Sequence, residues 1–461
     1  MISDPDVVAI LYLVTIACFI LALKFLASPR HARKGNWIGG AGMLLAIVTT
    51  LLLDGLENWL LIIVALVIGS VVGIIGARNV RMTAMPQMVA IFNGVGGGAA
   101  ALVALSEWHN TPDPFREETV SIVLSALIGS ISFAGSVIAF AKLQELISGR
   151  PIVFAGQNIV NIAVLGGGVA LGAAAVAGLE EQWVLYLLIG LALVFGVMFV
   201  LPIGGADMPV VISLLNAFTG LAASATGFVL DSTVLIVSGM LVGAAGTLLT
   251  LLMAKAMNRS VANVLFGAFG QVQTGTSAAR ADDGRTVRAT SADDVAVQLS
   301  FARKVIVAPG YGMAVAQAQH DVRQLADVLE ERGVDVKYAI HPVAGRMPGH
   351  MNVLLAEANV PYTQLHEMDN INPDFPQTDV VLVIGANDVT NPAARSDPGS
   401  PIYGMPILDV DKAASIIVLK RSMNPGFAGI DNELYLDAKT TMLFGDAKDS
   451  VLKLISAVKA S

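Results

Sequence analysis

The chain has 461 residues, of which 55% are apolar and only 14% are charged, with a mean hydropathy of +0.69. This composition excludes an ordinary soluble protein and predicts an integral membrane protein. The net charge of −8 comes mainly from acidic residues beyond position 280, which excludes a basic nucleic-acid-binding surface.

The chain begins with a segment that we interpret as a retained membrane helix rather than a cleaved signal peptide. The apolar run from Val7 to Ala27 is long enough to span a bilayer, and the residues before it carry no positive charge. Arg30, Arg33 and Lys34 follow this run, where a signal peptide would have small residues for cleavage.

Nine segments are predicted to cross the membrane, because each is apolar over roughly the 20 residues that a helix needs to span the hydrocarbon. The second of them is the least apolar. Glycine-rich strings at 94–100, 165–175 and 241–246 predict close helix packing rather than phosphate loops. The nine segments lie near residues 7–27, 36–53, 59–77, 86–105, 119–143, 154–178, 182–202, 208–229 and 233–254.

The basic residues between the segments predict an orientation. An odd number of spans puts the two ends of the chain on opposite sides of the membrane. One set of loops and ends carries ten basic residues and the other carries only Arg116, which places the C-terminal domain in the cytoplasm. The ten residues are Lys24, Arg30, Arg33, Lys34, Arg78, Arg81, Lys142, Arg150, Lys255 and Arg259.

The predicted spans contain neutral polar residues and, away from their ends, no Asp, Glu, Lys, Arg or His. Two interpretations stay open for these neutral side chains. They can form hydrogen bonds between helices, or they can line a hydrated path for a proton or ion, which normally needs a titratable group as well. The residues are Asn93, Ser136, Gln157, Asn158, Asn161, Asn216 and Thr219.

A change of composition after the last span divides the chain into three parts. Residues 1–260 hold the predicted membrane helices. Residues 261–290 are predicted to be a flexible linker or hinge, because 270–294 is rich in Gly, Ser, Thr, Asp and Arg and has no periodicity until its end. Residues 291–461 are predicted to form a second domain.

In the second domain, strands alternate with helices, which predicts a Rossmann-like α/β fold with a parallel sheet. A short helix is expected after Ser291, because Asp294 follows it at the spacing of a capping box. Helices are also expected over Met313 to Arg332 and over 350–358. Five strands are predicted, at 305–309, 334–340, 380–386, 415–421 and 441–447, the last leading into a C-terminal helix.

A glycine-containing turn follows the first predicted strand and precedes a helix, which is the setting of a dinucleotide-binding fingerprint. Val315 stands where the third glycine of that fingerprint is expected, so a plain turn between strand and helix is the alternative interpretation. The turn consists of Gly310, Tyr311, Gly312, Met313, Ala314 and Val315.

The ends of two other strands favour NADP over NAD. The second strand ends at Ile340, His341 and Pro342, without the acid that usually binds the ribose 2′-hydroxyl of NAD. A later strand is followed by Lys420-Arg421-Ser422, which offers two cations and a hydroxyl to a 2′-phosphate. The alternative is a solvated basic strand end. The chain has no predicted metal site, because its six histidines are scattered and are expected to be exposed or structural.

Seven segments together resemble one family, the β subunit of the proton-translocating NAD(P) transhydrogenase. In this family the soluble domain binds NADP(H), and its state is coupled to proton movement through the membrane domain. The segments are DMPVVISLLNAFTG (207–220), KAMNRS (255–260), APGYGMAVAQAQ (308–319), GRMPGHMNVLLAEA (345–358), GANDVTNPAA (385–394), GMPILDVDKA (404–413) and KRSMNPGFAG (420–429).

The resemblance implies a set of NADP(H)-binding residues. The glycine turn, Gly310 to Val315, would lie on the pyrophosphate, and Lys420, Arg421 and Ser422 would contact the 2′-phosphate. The nucleotide of this family lies reversed relative to an ordinary Rossmann cofactor, in agreement with a 2′-phosphate site on a later strand. The other implied residues are His341, Arg346, Met347, Pro348, Gly349, Gly385, Ala386, Asn387, Asp388, Val389, Gly426, Phe427, Asp446 and Ala447.

In the membrane domain, the resemblance implies a proton path at Asn93, Ser136 and Asn216, and a domain interface at Asp207 and Arg259. Some bacterial relatives carry a histidine where this chain has asparagine at position 93. A protonatable group on this chain therefore does not follow from the resemblance.

The resemblance also implies partners and a reaction. Only one nucleotide fingerprint is present, so NAD(H) is expected on an NAD-binding alpha subunit, and a separate small membrane alpha subunit and a dimer of the complete complex are expected as well. The implied enzyme is of the Si/Re-specific type, lies in the bacterial inner membrane and passes hydride directly between two nicotinamides, so no catalytic acid or base is needed. The alternative is an NADP-gated channel or transporter with no redox chemistry.

Overall fold

The computed structural model describes residues 4–28, 31–53, 55–81, 84–111, 116–148, 151–179, 181–204, 207–257, 260–266, 286–347, 349–400, 402–426 and 428–461. The chain separates into two compact units, Met1–Thr250 and Leu251–Ser461. The three-part division predicted from composition stays a prediction.

The N-terminal part contains nine long helices within its described residues, and eight of them are long and apolar enough to cross a membrane. The exception is α2, whose first half contains polar residues and glycines and which corresponds to the least apolar predicted span. The predicted helical membrane domain is therefore confirmed. The helices are α1 Pro5–Leu26, α2 Ala32–Leu51, α3 Trp59–Asn79, α4 Met85–Asn110, α5 Arg116–Leu143, α6 Gln157–Val176, α7 Gln182–Val200, α8 Met208–Val229 and α9 Thr233–Ala256.

Glycines let these helices pack backbone against backbone. A Cβ atom added to Gly97 on α4 would lie 2.8 Å from the carbonyl oxygen of Gly129 on α5, and one added to Gly129 would lie 2.5 Å from the oxygen of Gly97. Gly172 on α6 has the same constraint, because its Cβ would lie 2.6 Å from a methyl carbon of Val123. At these positions the glycine-rich strings serve helix packing, as predicted.

Lys142, in the last turn of α5, is a buried cation with backbone partners. Its side chain is only 3% exposed. The ammonium group donates to the carbonyl oxygens of Leu201 and Ile203, the latter at 2.7 Å. These carbonyls follow the C-terminal end of α7, where helix carbonyls need donors and cations are favourable. A lysine counted above among the loop charges therefore links the end of α5 to the end of α7.

Within its described residues, the C-terminal part is built on a six-stranded sheet in which every strand is parallel to its neighbours, in the order β3-β2-β1-β4-β5-β6. The predicted parallel α/β fold is confirmed, with one strand more than the five expected. The additional strand, β3, has only three residues, too few to form an apolar run. The strands are β1 Lys304–Pro309, β2 Asp335–Ile340, β3 Leu365–Glu367, β4 Val380–Ile384, β5 Ser415–Lys420 and β6 Thr440–Phe444.

The continuous helix predicted from Met313 to Arg332 is wrong, because two helices separated by a break take its place. Gln317 in the break has a φ of +52°, a left-handed conformation that interrupts a right-handed helix. The predicted cap is confirmed, since the Ser291 hydroxyl accepts a hydrogen bond from the Asp294 N–H at 3.2 Å. The helices are α10 Val261–Phe266, α11 Ala292–Phe301, α12 Tyr311–Val315, α13 Gln319–Glu331, α14 His350–Glu357, α15 Met368–Ile371, α16 Ala393–Ser396 and α17 Ala447–Ala460.

The central strands carry the hydrophobic core of this sheet. Every residue of β4 is buried, as are five of the six residues of β1. On one face of the sheet, these strands and β5 pack with Phe375 and Tyr435 in a single buried cluster. Strands buried on both faces read as continuous apolar runs, which is why they could be predicted.

The outer edge of β6 is covered by a short extended segment, residues 286–290. The Met442 N–H donates to the Arg288 carbonyl at 2.8 Å, and the Thr290 N–H donates to the Met442 carbonyl at 2.9 Å. These bonds form a parallel bridge between Ala289 and Met442. The end of the predicted linker, 261–290, thus runs alongside the sheet.

Candidate functional site

The strand order defines a topological switch point at the carboxyl ends of the strands, called the crevice below. β1 lies between β2 and β4, so the chain leaves β1 toward one side of the sheet and later returns to β4 on the other. Ligands of open α/β sheets bind outside the carboxyl ends of the strands at such a switch point. The loops that follow β1, β4, β5 and β6 all start at this end, and they carry most of the predicted nucleotide-binding residues.

The turns after β1 and β4 cross with their backbones in contact. The Gly310 N–H donates to the Ile384 carbonyl at 2.9 Å, and the Gly312 N–H donates to the Gly385 carbonyl at 3.0 Å. A Cβ atom on Gly310 would lie 2.3 Å from the Cα of Ala386, and one on Gly312 would lie 2.7 Å from the Cα of Gly385. Gly385 also has a φ of +66°, which glycine adopts without strain. The predicted glycines are thus required by this crossing.

The other residues of the predicted turn differ in exposure. Met313 and Ala314 are fully buried and belong to the core. Val315, in the place of the third fingerprint glycine, is 46% exposed. Tyr311 and Gly312 are partly exposed, so these two residues and Val315 are the parts of the turn that a ligand can contact.

The loop after β2 brings a cation to this turn. The Arg346 guanidinium carbon lies 4.4 Å from the centroid of the Tyr311 ring, the arrangement of a cation–π contact. Met347 and Gly349 are partly buried beside it, whereas Pro348 lies outside the described residues. Two predicted binding segments, far apart in sequence, therefore meet at Tyr311.

The loop after β4 is held by a polar network. The Asn432 amide nitrogen donates to both the backbone and the side-chain oxygen of Asn387, each at 3.1 Å. The Tyr435 hydroxyl donates to the same side-chain oxygen at 3.0 Å. Neither Asn432 nor Tyr435 was predicted from sequence, although both fix a predicted residue.

Asp388 ties the β4 loop to the segment that follows β5. Its Oδ2 atom accepts a hydrogen bond from the Ala428 N–H at 3.0 Å. A Cβ atom on Gly426 would lie 2.6 Å from Asp388 Oδ1, so only glycine fits there without a shift. The neighbouring Val389 is buried, and Phe427 lies outside the described residues.

Two cations follow one another at the end of β5. The Lys420 ammonium donates to the Asn424 carbonyl and lies 5.2 Å from the centroid of the Tyr435 ring. Burial lowers the pKa of Lys420, while the charges of Asp388 and Asp431 act in the opposite direction. Arg421 is exposed beside it. The predicted basic strand end is therefore a partly buried lysine next to an exposed arginine.

The remaining predicted residues at this end are a hydroxyl and a helix cap. Ser422 is exposed, and its hydroxyl accepts from the Asn424 N–H at 3.4 Å. Asp446 is the N-cap residue of α17 and accepts from the Lys448 N–H at 3.0 Å. Ala447 is the first residue of that helix and is buried.

His341, directly after β2, is buried and neutral. Its Nδ1 accepts from the Val343 N–H at 3.2 Å, which leaves Nε2 to donate to the Pro406 carbonyl at 2.8 Å. Burial lowers the pKa of this imidazole to about 4, against the opposing effect of the Pro406 hydrogen bond. His341 therefore supplies a neutral ring at the position where an NAD site usually has an acid.

Asn93 and Ser136 belong to a buried polar cluster in the membrane unit. The Asn93 amide nitrogen donates to the hydroxyl of Ser136 at 2.9 Å and to that of Ser132 at 3.3 Å. The hydroxyl groups of Ser132 and Thr219 lie 2.6 Å apart. Asn93 Oδ1 is buried and has no hydrogen-bond partner within the described residues. These four residues, from α4, α5 and α8, are called the polar cluster below.

The third residue implied for the proton path is not one of the four residues of the polar cluster, although it lies three residues before Thr219 on α8. Asn216, in the middle of α8, is exposed on the surface of the unit. Ser132 was not predicted, although it is central to the cluster and fully buried. Asp207 is the N-cap residue of α8, and Arg259 lies outside the described residues.

Within the described residues, eight helices able to cross a membrane precede a parallel sheet whose β1 and β4 turns cross at glycines, which defines a multi-pass membrane protein with a parallel α/β domain. The family model described as NAD(P) transhydrogenase beta subunit matches residues 8–457. The NAD(P) transhydrogenase subunit beta of Rhodospirillum rubrum is 49% identical over 456 residues, covering 97% of this chain and 98% of the relative. The same protein from a named strain of that species matches with the same figures.

The chain therefore belongs to the NAD(P) transhydrogenase beta subunit family. A beta subunit implies an alpha subunit as its partner.

Proposed function

We propose that this chain binds NADP(H) at the crevice of its parallel sheet and is the proton-conducting subunit of a membrane transhydrogenase. Hydride would pass between NADP(H) on this chain and NAD(H) on an alpha subunit, coupled to proton movement through the membrane helices. Family membership supports the enzyme class, and the geometry of the crevice supports the choice of cofactor.

The observation that carries the cofactor proposal is the combination of the glycine crossing with the cations of β5. Gly310 and Gly312 let the turn after β1 cross the turn after β4 in backbone contact, at the strand ends where a pyrophosphate would bind. Lys420 and Arg421 stand at the next-but-one strand end, and the tip of β2 carries neutral His341 instead of an acid. Strand ends that carry two cations and lack an acid suit the 2′-phosphate of NADP and disfavour the binding of NAD.

The residues at the crevice fit such a dinucleotide. Arg346 over Tyr311 would face the phosphates beside the glycine turn. Asn387 and Asp388 are held rigidly by their hydrogen bonds and would line the site from β4. The bound nicotinamide would supply the hydride chemistry itself, and these side chains would orient the nucleotide and exclude water.

The polar cluster supports a hydrated route that conducts protons without titrating. An amide or hydroxyl both donates and accepts hydrogen bonds and can hold a chain of water, but neither titrates near neutral pH. The titratable carrier would then belong to a partner, such as a small membrane alpha subunit. We place the complex in the bacterial inner membrane, as a dimer of complete units with the sheet domain in the cytoplasm.

The deciding experiment is a hydride-transfer assay on membranes that contain this chain with or without an alpha subunit. Transfer from NADPH to an NAD analogue is expected only when both subunits are present, because this chain has one nucleotide fingerprint. NADP-dependent ion flux without any hydride transfer in the complete complex would favour the NADP-gated channel instead. Hydride transfer by this chain alone would contradict the proposed division of cofactors.

Asn93→Leu is expected to reduce proton pumping and coupled turnover at least tenfold. Leucine removes the hydrogen bonds to Ser132 and Ser136 and the polar atoms that could hold water in the cluster. Loss of its amide partner costs the buried Ser136 hydroxyl roughly 1–3 kcal/mol, whereas Ser132 keeps its bonds to Leu215 and Thr219. The measurement is proton uptake by vesicles that contain the complete complex, beside the turnover of the same vesicles.

Asn93→His serves as the matched variant, because a histidine keeps polar atoms at the position and is the residue that some relatives use. It is expected to retain pumping. Normal pumping by Asn93→Leu would show that the asparagine only joins helices, the first of the two interpretations of these polar residues.

A further inference from the structure

His350, the first residue of α14, is buried against the loop that carries Arg346. The residue is 0% exposed. Its Nδ1 atom accepts a hydrogen bond from the backbone N–H of Arg346 at 3.0 Å. Gly345 has a φ of +107°, and a Cβ atom there would lie only 2.4 Å from His350 Nδ1. The imidazole therefore sets the shape of the backbone from Gly345 to Arg346.

These contacts fix the protonation of the ring. Because Nδ1 is an acceptor, the ring hydrogen of the neutral imidazole must lie on Nε2. Nε2 is buried and has no hydrogen-bond partner within the described residues. Burial, with a smaller contribution from the Arg346 charge, lowers the pKa of His350 to about 4, so the ring is neutral at physiological pH.

The same ring lies next to the contact between Arg346 and the glycine turn. The His350 and Tyr311 rings are tilted, with their centroids 6.2 Å apart. The Arg346 guanidinium lies over the Tyr311 ring. The Arg346 backbone is therefore held by His350, and the Arg346 side chain lies against Tyr311.

We propose that His350 is a positioning residue, whose Nδ1 acceptor holds the Arg346 backbone so that the guanidinium stays over Tyr311, ready for an anionic dinucleotide. This role rests on the proposed function and deepens it. The direct contacts of His350 are with Arg346 and Gly345. The effect of the Nδ1 acceptor on nucleotide affinity is expected to pass through Arg346.

Two substitutions separate the acceptor from the bulk of the ring. Asparagine keeps an oxygen near the place of Nδ1, whereas glutamine carries its amide further out, toward the place of Nε2. His350→Gln is expected to weaken NADP⁺ binding roughly tenfold, the scale of one lost hydrogen bond at a buried group. His350→Asn is expected to stay within about threefold of the wild type, because its acceptor is preserved.

The measurement is calorimetric titration of the full chain in detergent with NADP⁺, with thermal unfolding of the ligand-free chain beside it. His320→Gln is the matched control, because His320 is an exposed histidine of α13. Equal weakening by the asparagine and glutamine variants would overturn the role of the acceptor.

Arg346→Ala tests whether His350 affects nucleotide binding through Arg346. If His350 acts through Arg346, His350→Gln should add little to the loss that Arg346→Ala already causes. Independent, additive losses would overturn the positioning role while leaving NADP binding intact. A wild-type chain that fails to bind NADP⁺ at all would instead remove the proposed function together with this role.

Selective ¹⁵N-histidine NMR on the wild-type chain is a readout that does not depend on any variant folding. His350 is expected to show a protonated Nε2 and an unprotonated Nδ1. A hydrogen on Nδ1 is incompatible with acceptance from the Arg346 N–H and would overturn the inference directly.

Discussion

Gly310→Ala is expected to abolish dinucleotide binding and to destabilise the C-terminal unit by about 3 kcal/mol or more, at the upper end of overpacking effects. The new Cβ would lie 2.3 Å from the Cα of Ala386 and 2.4 Å from both the Ala386 nitrogen and the Gly385 oxygen. All three are backbone atoms that cannot rotate away, so β1 and β4 would have to separate at the crevice. The change is measured by thermal unfolding and by NADP⁺ titration of the full chain.

Gly399→Ala is the control for this substitution. The Cβ there would meet only Oδ1 of Asp397, at 3.3 Å, and a shift of a few tenths of an ångström at this side-chain end relieves the contact while its hydrogen bond from the Gly399 N–H is kept. It should unfold and bind like the wild type. If Gly310→Ala bound NADP⁺ normally, the crossing of the two turns would not be the structural basis of the site.

Lys420→Ala and Arg421→Ala are each expected to weaken NADP⁺ binding by about 1.5–3 kcal/mol, the scale of hydrogen bonds to charged groups. Both should leave the weak binding of NAD⁺ nearly unchanged, because NAD⁺ has no 2′-phosphate. Arg421 is the cleaner probe, since it is exposed. Lys420 also contacts Asn424 and Tyr435, so its loss disturbs the loop as well.

Titration with NAD⁺ and NADP⁺ decides whether this basic strand end is a 2′-phosphate site or a solvated strand end. Lys453→Ala removes an exposed lysine from α17 and controls for a general change of charge. An equal loss of NAD⁺ and NADP⁺ affinity in the Lys420 and Arg421 variants would show that both cations stabilise the fold. It would contradict the proposal that they select NADP.

The fold could be predicted wherever burial leaves a continuous signal in the sequence. Apolar runs marked the membrane helices and the central strands, because lipid and the sheet core both demand unbroken apolar surface. β3 escaped prediction, since three residues form no run. The break at Gln317 escaped as well, because a left-handed residue other than glycine has no compositional signature.

The residues at the strand ends of the candidate site could be predicted from sequence, but the residues that support them could not. The glycine turn and the cations of β5 have local patterns that follow from strand position. The partners Asn432 and Tyr435 come from a distant segment and are brought to Asn387 only by the fold. For the same reason, sequence could not show that Asn93 is buried while Asn216 is exposed.

The segment at residues 286–290, which covers the edge of β6, limits pairing of this edge with strands of other chains. An open strand edge presents unpaired N–H and C=O groups that recruit strands from other chains. Here the opposite edge, β3, is only three residues long, and at β6 the exchange between Arg288, Thr290 and Met442 occupies the groups of the central residue. A fragment that began at residue 291 would keep all six strands and lose this cover. Resistance of the sheet to self-association therefore depends on residues that lie outside its strands.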